Sequence, residues 1–110
     1  MKELTKIEEI LLWAITELED DAYGFQIRRY VSAKLGLDYT YGNLYSALGR
    51  LDQKGYVSKR PAESTPARRG KARVYYTLSE DGRRALREAY QLNRAMWTVF
   101  GKRLSEFGRS

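Results

Sequence analysis

The sequence predicts a mainly α fold with a small β-hairpin, on three observations. Residues 5–55 hold three stretches with apolar side chains at helical spacing, each opened by a capping residue or an acidic turn. Residues 56–77 hold two short β-prone runs around a polar, basic segment. From residue 80 onward a single amphipathic stretch continues well past the domain before it. Three helices, a hairpin and a long helix, in that order, are the parts of a winged helix-turn-helix plus a long C-terminal dimerisation helix. Residues 1–79 form the first unit, with the wing at about 56–77, and residues 80–110 form the second.

Each element has its own signal. Thr5 with Glu8 three residues later is a capping box, followed by Ile7, Leu11, Ala14, Ile15 and Leu18 at helical spacing. Ile10 and Trp13 add a second apolar side, so this helix is expected to lie between its own domain and something else. The turn Glu19-Asp20-Asp21 leads to a second helix over about 22–35, with Tyr23, Ile27, Val31 and Leu35 on one stripe and Gly36 at its end. Adjacent carboxylates without ligand-spaced oxygens are a solvated turn rather than a metal site. Thr40 caps a third helix that turns Leu44, Leu48 and Leu51 inward and ends at Gly55. Its opposite face is expected to carry Asn43, Ala47 and Arg50, with Ser46 and Lys54 alongside.

The hairpin follows. Residues 56–60 and 73–77 read as strands, and PAESTPARRGKA between them as a polar loop holding both prolines. From 59 to 73 the cations Lys59, Arg60, Arg68, Arg69, Lys71 and Arg73 face one acid, Glu63. Gly70-Lys71 is not a phosphate loop, since that motif needs glycine where Thr65 stands. Ser79 caps the last helix, with Glu80 and Asp81 in its first turn. Beyond it Leu86, Asn93, Phe100 and Phe107 repeat every seven residues, and Tyr90, Trp97 and Leu104 form a neighbouring line widened by Leu92, Met96 and Val99. That much apolar surface exceeds what a three-helix domain can cover, so a second copy of the chain is expected against it. Asn93 within the seam would fix the register of that pairing.

Composition narrows the chemistry. The 110 residues contain no Cys and no His, which removes disulfides, Cys/His zinc sites, thiol nucleophiles and imidazole acid-base catalysis. An enzyme, a metal site or a bound cofactor is therefore not expected. No apolar run approaches the ~20 residues of a membrane span, and the acidic start MKELTKIEE is unlike a secretory signal, which leaves a cytoplasmic protein. The net charge of +6 conceals a gradient, because residues 1–21 hold two lysines against seven acids, a balance of −5, and the remainder carries +11. Such asymmetry points to a polyanion on one side of the molecule. With Asn43, Ser46 and Arg50 able to meet base edges and a basic wing able to follow phosphates, double-stranded DNA is the expected partner. Two readings compete with it: a winged-helix adaptor whose basic wing docks an acidic protein, and structured-RNA binding, which the core-spaced aromatics disfavour.

The segments LYSALGRLDQKGYV at 44–57 and GKARVYYTLSEDGRRAL at 70–86, with Tyr23-Gly24 opening the second helix, resemble the PadR family of bacterial transcriptional regulators over about residues 4–95. The resemblance implies a homodimeric repressor that reads a palindromic operator. It places Tyr23 and Gly24 against phosphate, positions 42–50 on the recognition helix, and Lys71 and Arg73 at the base of the wing. The resulting DNA-contact set is Tyr23, Gly24, Thr40, Tyr41, Gly42, Asn43, Tyr45, Ser46, Arg50, Arg68, Arg69, Lys71 and Arg73. Family members often carry Pro at 72 and Thr at 79, where this chain has Ala72 and Ser79. The dimer contact implied for the short subgroup joins Leu4, Ile7 and Leu11 of the first helix to Tyr90, Asn93, Met96, Trp97, Phe100 and Leu104 of the last. Short members can also hold flat apolar compounds near the dimer centre. Trp13, Tyr90, Trp97 and Phe100 are the candidates for a small planar aromatic effector here.

Overall fold

The computed structural model describes residues 3–62 and 73–107 of the chain. Its elements run α1 (Lys6–Leu18), a 3-10 turn (Glu19–Asp21), α2 (Gly24–Leu35), α3 (Tyr41–Gln53), β1 (Val57–Pro61), β2 (Val74–Leu78) and α4 (Glu80–Glu106). The expected arrangement of a mainly helical chain with a two-stranded hairpin and a long last helix is the one observed.

The capping signals act as the sequence implies. Thr5 Oγ1 accepts from the Glu8 N–H at 3.3 Å while Glu8 Oε1 accepts from the Thr5 N–H at 2.9 Å, closing the capping box. Thr40 Oγ1 accepts from the Asn43 N–H at 3.0 Å and Ser79 Oγ from the Gly82 N–H at 3.0 Å. Each such cap stabilises its helix by about 1 kcal/mol. Gly36 ends α2 with φ 69°, in the left-handed region where a Cβ would be strained.

Leu11, Leu12, Ile27, Leu44, Leu48 and Leu51 meet at the centre of α1, α2 and α3 with no measurable exposure or nearly none. Val57, Tyr76 and Leu78 of the hairpin and Ala85 and Leu86 of α4 extend the same core. The first turns of α4 are therefore part of the domain. Gly82 lies against the Tyr56 carbonyl so closely that a Cβ would collide with it, and the Ser79 N–H donates to that carbonyl at 3.0 Å.

Several expectations are corrected by this packing. The second helix begins at Gly24 rather than Ala22, because the Ala22 carbonyl accepts from the Tyr76 N–H at 2.8 Å and Tyr23 bridges Tyr75, drawing residues 22–23 onto the edge of the hairpin. Leu35 is 57% exposed, so it does not continue the buried stripe of Ile27 and Val31. Ala47 is fully buried and belongs to the inner face of α3. Leu11 is also fully buried in the chain's own core, which removes it from the surface that could meet a second copy. Pro61 extends β1, paired with Val74 at the last rung, where a missing N–H costs no ladder bond.

Candidate nucleic-acid interface

Successive residues of α3 advance by about 100°, so its buried side at Leu44, Ala47, Leu48 and Leu51 fixes what faces outward. Gly42, Ser46, Gly49 and Gln53 form the outer crest, all exposed. Tyr41 and Tyr45 flank the crest on the side toward α2, their rings stacked at 6.2 Å and 42% and 50% exposed. Asn43 and Arg50 lie on the opposite flank, toward α1.

That second flank is not free. Glu8, fully buried at the start of α1, receives Arg50 Nε at 2.9 Å on Oε2 and Lys54 Nζ at 2.6 Å on Oε1. Burial works to raise the Glu8 carboxyl, but hydrogen bonds from Lys54, the Thr5 backbone and Arg50 outweigh it and hold the group below its ordinary range. Arg50 therefore also links α3 to α1 through its Nε, while its side chain stays 44% exposed. Asn43 and Ser46 remain exposed.

The hairpin and the start of α2 make the neighbouring surface. Tyr23 meets Tyr75 edge-on at 5.4 Å and stacks on Phe25 at 6.5 Å. Arg73 lies over the Tyr23 ring at 4.3 Å and Arg60 over the Tyr75 ring at 4.8 Å. A side-chain hydrogen bond to Tyr75 is the largest reason that the Arg73 guanidinium is held above its ordinary value. Gly24 is buried beneath the Tyr45 ring, where a Cβ would meet the phenol, and this contact joins the start of α2 to the tyrosine flank of α3. Lys59, on the other face of β1 from Arg60, is engaged by Asp52 at 3.2 Å.

Of the expected DNA-contact residues, Tyr23, Gly24, Thr40, Tyr41, Gly42, Asn43, Tyr45, Ser46 and Arg73 thus come together along one side of the domain, whereas Arg68, Arg69 and Lys71 lie outside the described residues. Sequence reading missed Phe25 and Arg28. Arg28 Nε donates to the Tyr39 carbonyl at 2.7 Å and its guanidinium lies 4.7 Å from the centre of the Tyr41 ring. The available signal was helical spacing: Arg28 sits one position past buried Ile27 and one turn past Gly24, on the α2 side nearest the next cap.

The expected effector residues are only partly brought together. Trp13 and Tyr90 line a cavity of about 550 Å³ between α1, β2 and α4, with Ile15 and Leu86 behind them and Glu19, Asp20, Arg83 and Arg87 around it. Trp97 and Phe100 lie farther along α4, outside it. Asn93 Nδ2 donates to Glu9 Oε2 at 2.8 Å, tying α4 to α1 within the chain.

The model of the transcriptional regulator PadR-like family matches residues 11–88, most of the chain and nearly all of the winged domain. The chain belongs to this family. As a PadR-like regulator it is a DNA-binding transcriptional regulator and not an enzyme. Its fold is similar to that of a PadR family transcription regulator from hypervirulent Clostridium difficile R20291, at 23% identity and TM-score 0.79 over 91% of this chain and 99% of that one. It is similar also to a PadR family transcriptional regulator from Eggerthella lenta DSM 2243, at 25% identity and TM-score 0.71 over 90% and 83%. The structure of Bacillus subtilis PadR in complex with operator DNA matches at 18% identity and TM-score 0.68, over 78% of this chain and 47% of that one. The comparison with curated proteins found no match. A single long helix after the wing is consistent with the short subgroup of PadR-like regulators. Among the described residues, no helix of this PadR-like chain is long and apolar enough to cross a membrane, and no group of acids could hold a metal ion.

Proposed function

We propose that the chain acts as a homodimeric repressor that occupies a palindromic operator, with residues 1–79 and the buried first turns of α4 as the DNA-binding unit and the rest of 80–110 as the dimerisation helix. The observation that carries this reading is the outer length of α4. Leu92, Met96, Trp97, Val99, Phe100, Leu104 and Phe107 are 45–68% exposed in the single chain, a contiguous apolar stripe of the kind that monomers rarely leave in water. Beside it, α1 and α4 enclose a groove of about 490 Å³ lined by Leu4, Ala85, Ala89, Leu92 and Met96, with Glu3, Lys6, Glu9, Glu88 and Asn93 around them. Leu4 and Ile7 are half-buried against the core.

A two-fold pair would present two copies of the α3 crest. Each would enter a major groove, and half-sites would be spaced about one helical turn, ~34 Å, apart. Asn43 and Ser46 supply base discrimination, and Tyr23, Arg73 and the basic wing residues Arg68, Arg69 and Lys71 supply phosphate contact. Bacillus subtilis PadR, whose structure contains operator DNA, supports this by fold likeness. The cavity between Trp13 and Tyr90 suits a planar aromatic effector that would release the operator by shifting α4 against α1.

The test is selection of bound genomic fragments by the purified protein at physiological salt, with sedimentation equilibrium of the same sample. A dimer that selects an inverted repeat, bound at least ~10³-fold tighter than random DNA, is expected. A monomer, or binding that is equal on all sequences, would sink the reading.

A further inference from the structure

Several cations among the described residues are held in one of two ways. Lys6, Arg50, Lys54, Lys59, Arg84 and Arg103 each pair with a carboxylate. Arg28, Arg60 and Arg73 are not so paired among the described residues, and each lies over a tyrosine ring instead, at 4.7 Å from Tyr41, 4.8 Å from Tyr75 and 4.3 Å from Tyr23. A ring face restrains a guanidinium without cancelling its charge. Such a group is placed in advance yet still open to an anion.

Arg28 has a second restraint, on the backbone. Its Nε donates to the Tyr39 carbonyl at 2.7 Å, which uses one of its N–H donors and leaves the terminal nitrogens for another acceptor. Tyr39 and Tyr41 bracket Thr40, the cap of α3, so the guanidinium sits where α2 meets the first turn of the crest-bearing helix. A shallow concavity of about 320 Å³ lined by Phe25, Arg28, Arg29, Ser32, Ala33 and Asp38 opens beside it. The carboxylate of Asp38 accepts from Ser32 Oγ at 2.7 Å on Oδ1 and keeps its charge, which Arg28 and Arg29 outnumber in the same concavity. A planar fork held still and unneutralised at this place matches two oxygens of one phosphate.

We propose that Arg28 is a phosphate anchor for duplex DNA at the junction of α2 and α3, and that Tyr41 is its positioning residue. The proposal rests on the DNA reading above and adds a contact that is independent of sequence. Lysine would supply the charge but neither the fork nor the flat face on Tyr41.

Affinity for a random-sequence DNA duplex, followed over a salt series, tests this. Arg28→Gln is expected to bind about tenfold more weakly and to lower the slope of log affinity against log salt by about one, the loss of one phosphate contact. Tyr41→Leu is expected to lose affinity in the wild-type background and little more in Arg28→Gln, because the two act through one contact. Thermal unfolding confirms that each variant is folded. A folded Arg28→Gln protein with the wild-type slope would overturn the anchor and leave the DNA reading standing, and wild-type affinity in Tyr41→Leu would overturn the bracing. Should Arg28→Gln fail to fold, Arg28→Lys is expected to keep the slope and bind severalfold more weakly, and equal affinity for the two cations would overturn the proposal. A wild-type protein that binds no duplex overturns this proposal and the DNA reading together.

Discussion

Lys54 Nζ donates a 2.6 Å hydrogen bond to Oε1 of Glu8, tying the end of α3 to the first turn of α1. The same carboxylate caps α1 through the Thr5 N–H and holds Arg50, so one buried group sets both the start of one helix and the seating of another. Glu8→Gln keeps an acceptor for Thr5 but leaves Lys54, only 17% exposed, without a counter-charge. The expected loss is roughly 2–3 kcal/mol, below the ~3–5 of a fully buried pair because Arg50 reaches water. Folding lowers the Glu8 carboxyl below its ordinary value of 4.5, so on acidification the unfolded chain takes up the proton first. Its contribution is whole above that value and is lost as pH falls through the folded one. Urea unfolding at neutral pH and through the acid range checks this, and Glu8→Gln should lack that acid-dependent part. Equal pH dependence in the two proteins would place the acid sensitivity elsewhere.

Gly82→Ala is expected to destabilise the domain by about 2 kcal/mol, the scale of an overpacked site. Its Cβ would strike the Tyr56 carbonyl, which is backbone and also takes the Ser79 N–H, so neither side can move alone. Thermal unfolding reads the change. A midpoint equal to wild type would mean that α4 can slide on the hairpin without cost.

Glu19 adopts φ 52° and ψ −117° where α1 ends, a conformation that side chains other than glycine rarely take. Strain of this kind amounts to about 1–3 kcal/mol, against the ~0.5–1 kcal/mol of chain entropy that glycine gives up. Glu19→Gly is therefore expected to raise stability by about 1 kcal/mol, measured as a higher urea midpoint at unchanged slope. A lower midpoint would show that the Glu19 side chain has a stabilising role of its own.

How much of this was legible depends on how local the signal is. The caps at Thr5, Thr40 and Ser79 and the glycine stop at Gly36 are written within a few residues, and all appear where the sequence places them. Ala22 and Tyr23 read as helix because their neighbours are helical in pattern, yet tertiary pairing with Tyr75 and Tyr76 overrides that preference. The link from Arg50 to α1 was missed for the same reason on a larger scale. A charged residue on an amphipathic helix shows its solvated face in the sequence but not that the fold brings Glu8, 42 residues away, beneath it. Asn93 repeats the lesson, since its partner Glu9 lies 84 residues back. Leu11 and Ala47 show the complementary limit, where helical spacing gives a face but not which neighbour covers it.

Gly49 sits mid-helix on the α3 crest with nothing within 4 Å of where its Cβ would be, so its own fold gives no steric reason for glycine there. By helix propensity alone Gly49→Ala is expected to raise stability by ~0.8–1 kcal/mol. The crest is also the surface that enters the major groove in the DNA reading, and a methyl there holds the helix axis away from the base edges that Ser46 and Asn43 must reach. The same variant is therefore expected to bind the selected operator at least about tenfold more weakly, a loss of ~1.4 kcal/mol, while random-duplex affinity changes less because phosphate contacts lie off the crest. Unfolding and operator titration on one preparation separate the two effects. A more stable protein with wild-type operator affinity would mean that the crest does not approach the bases, and that discrimination must come from the tyrosine flank or the wing.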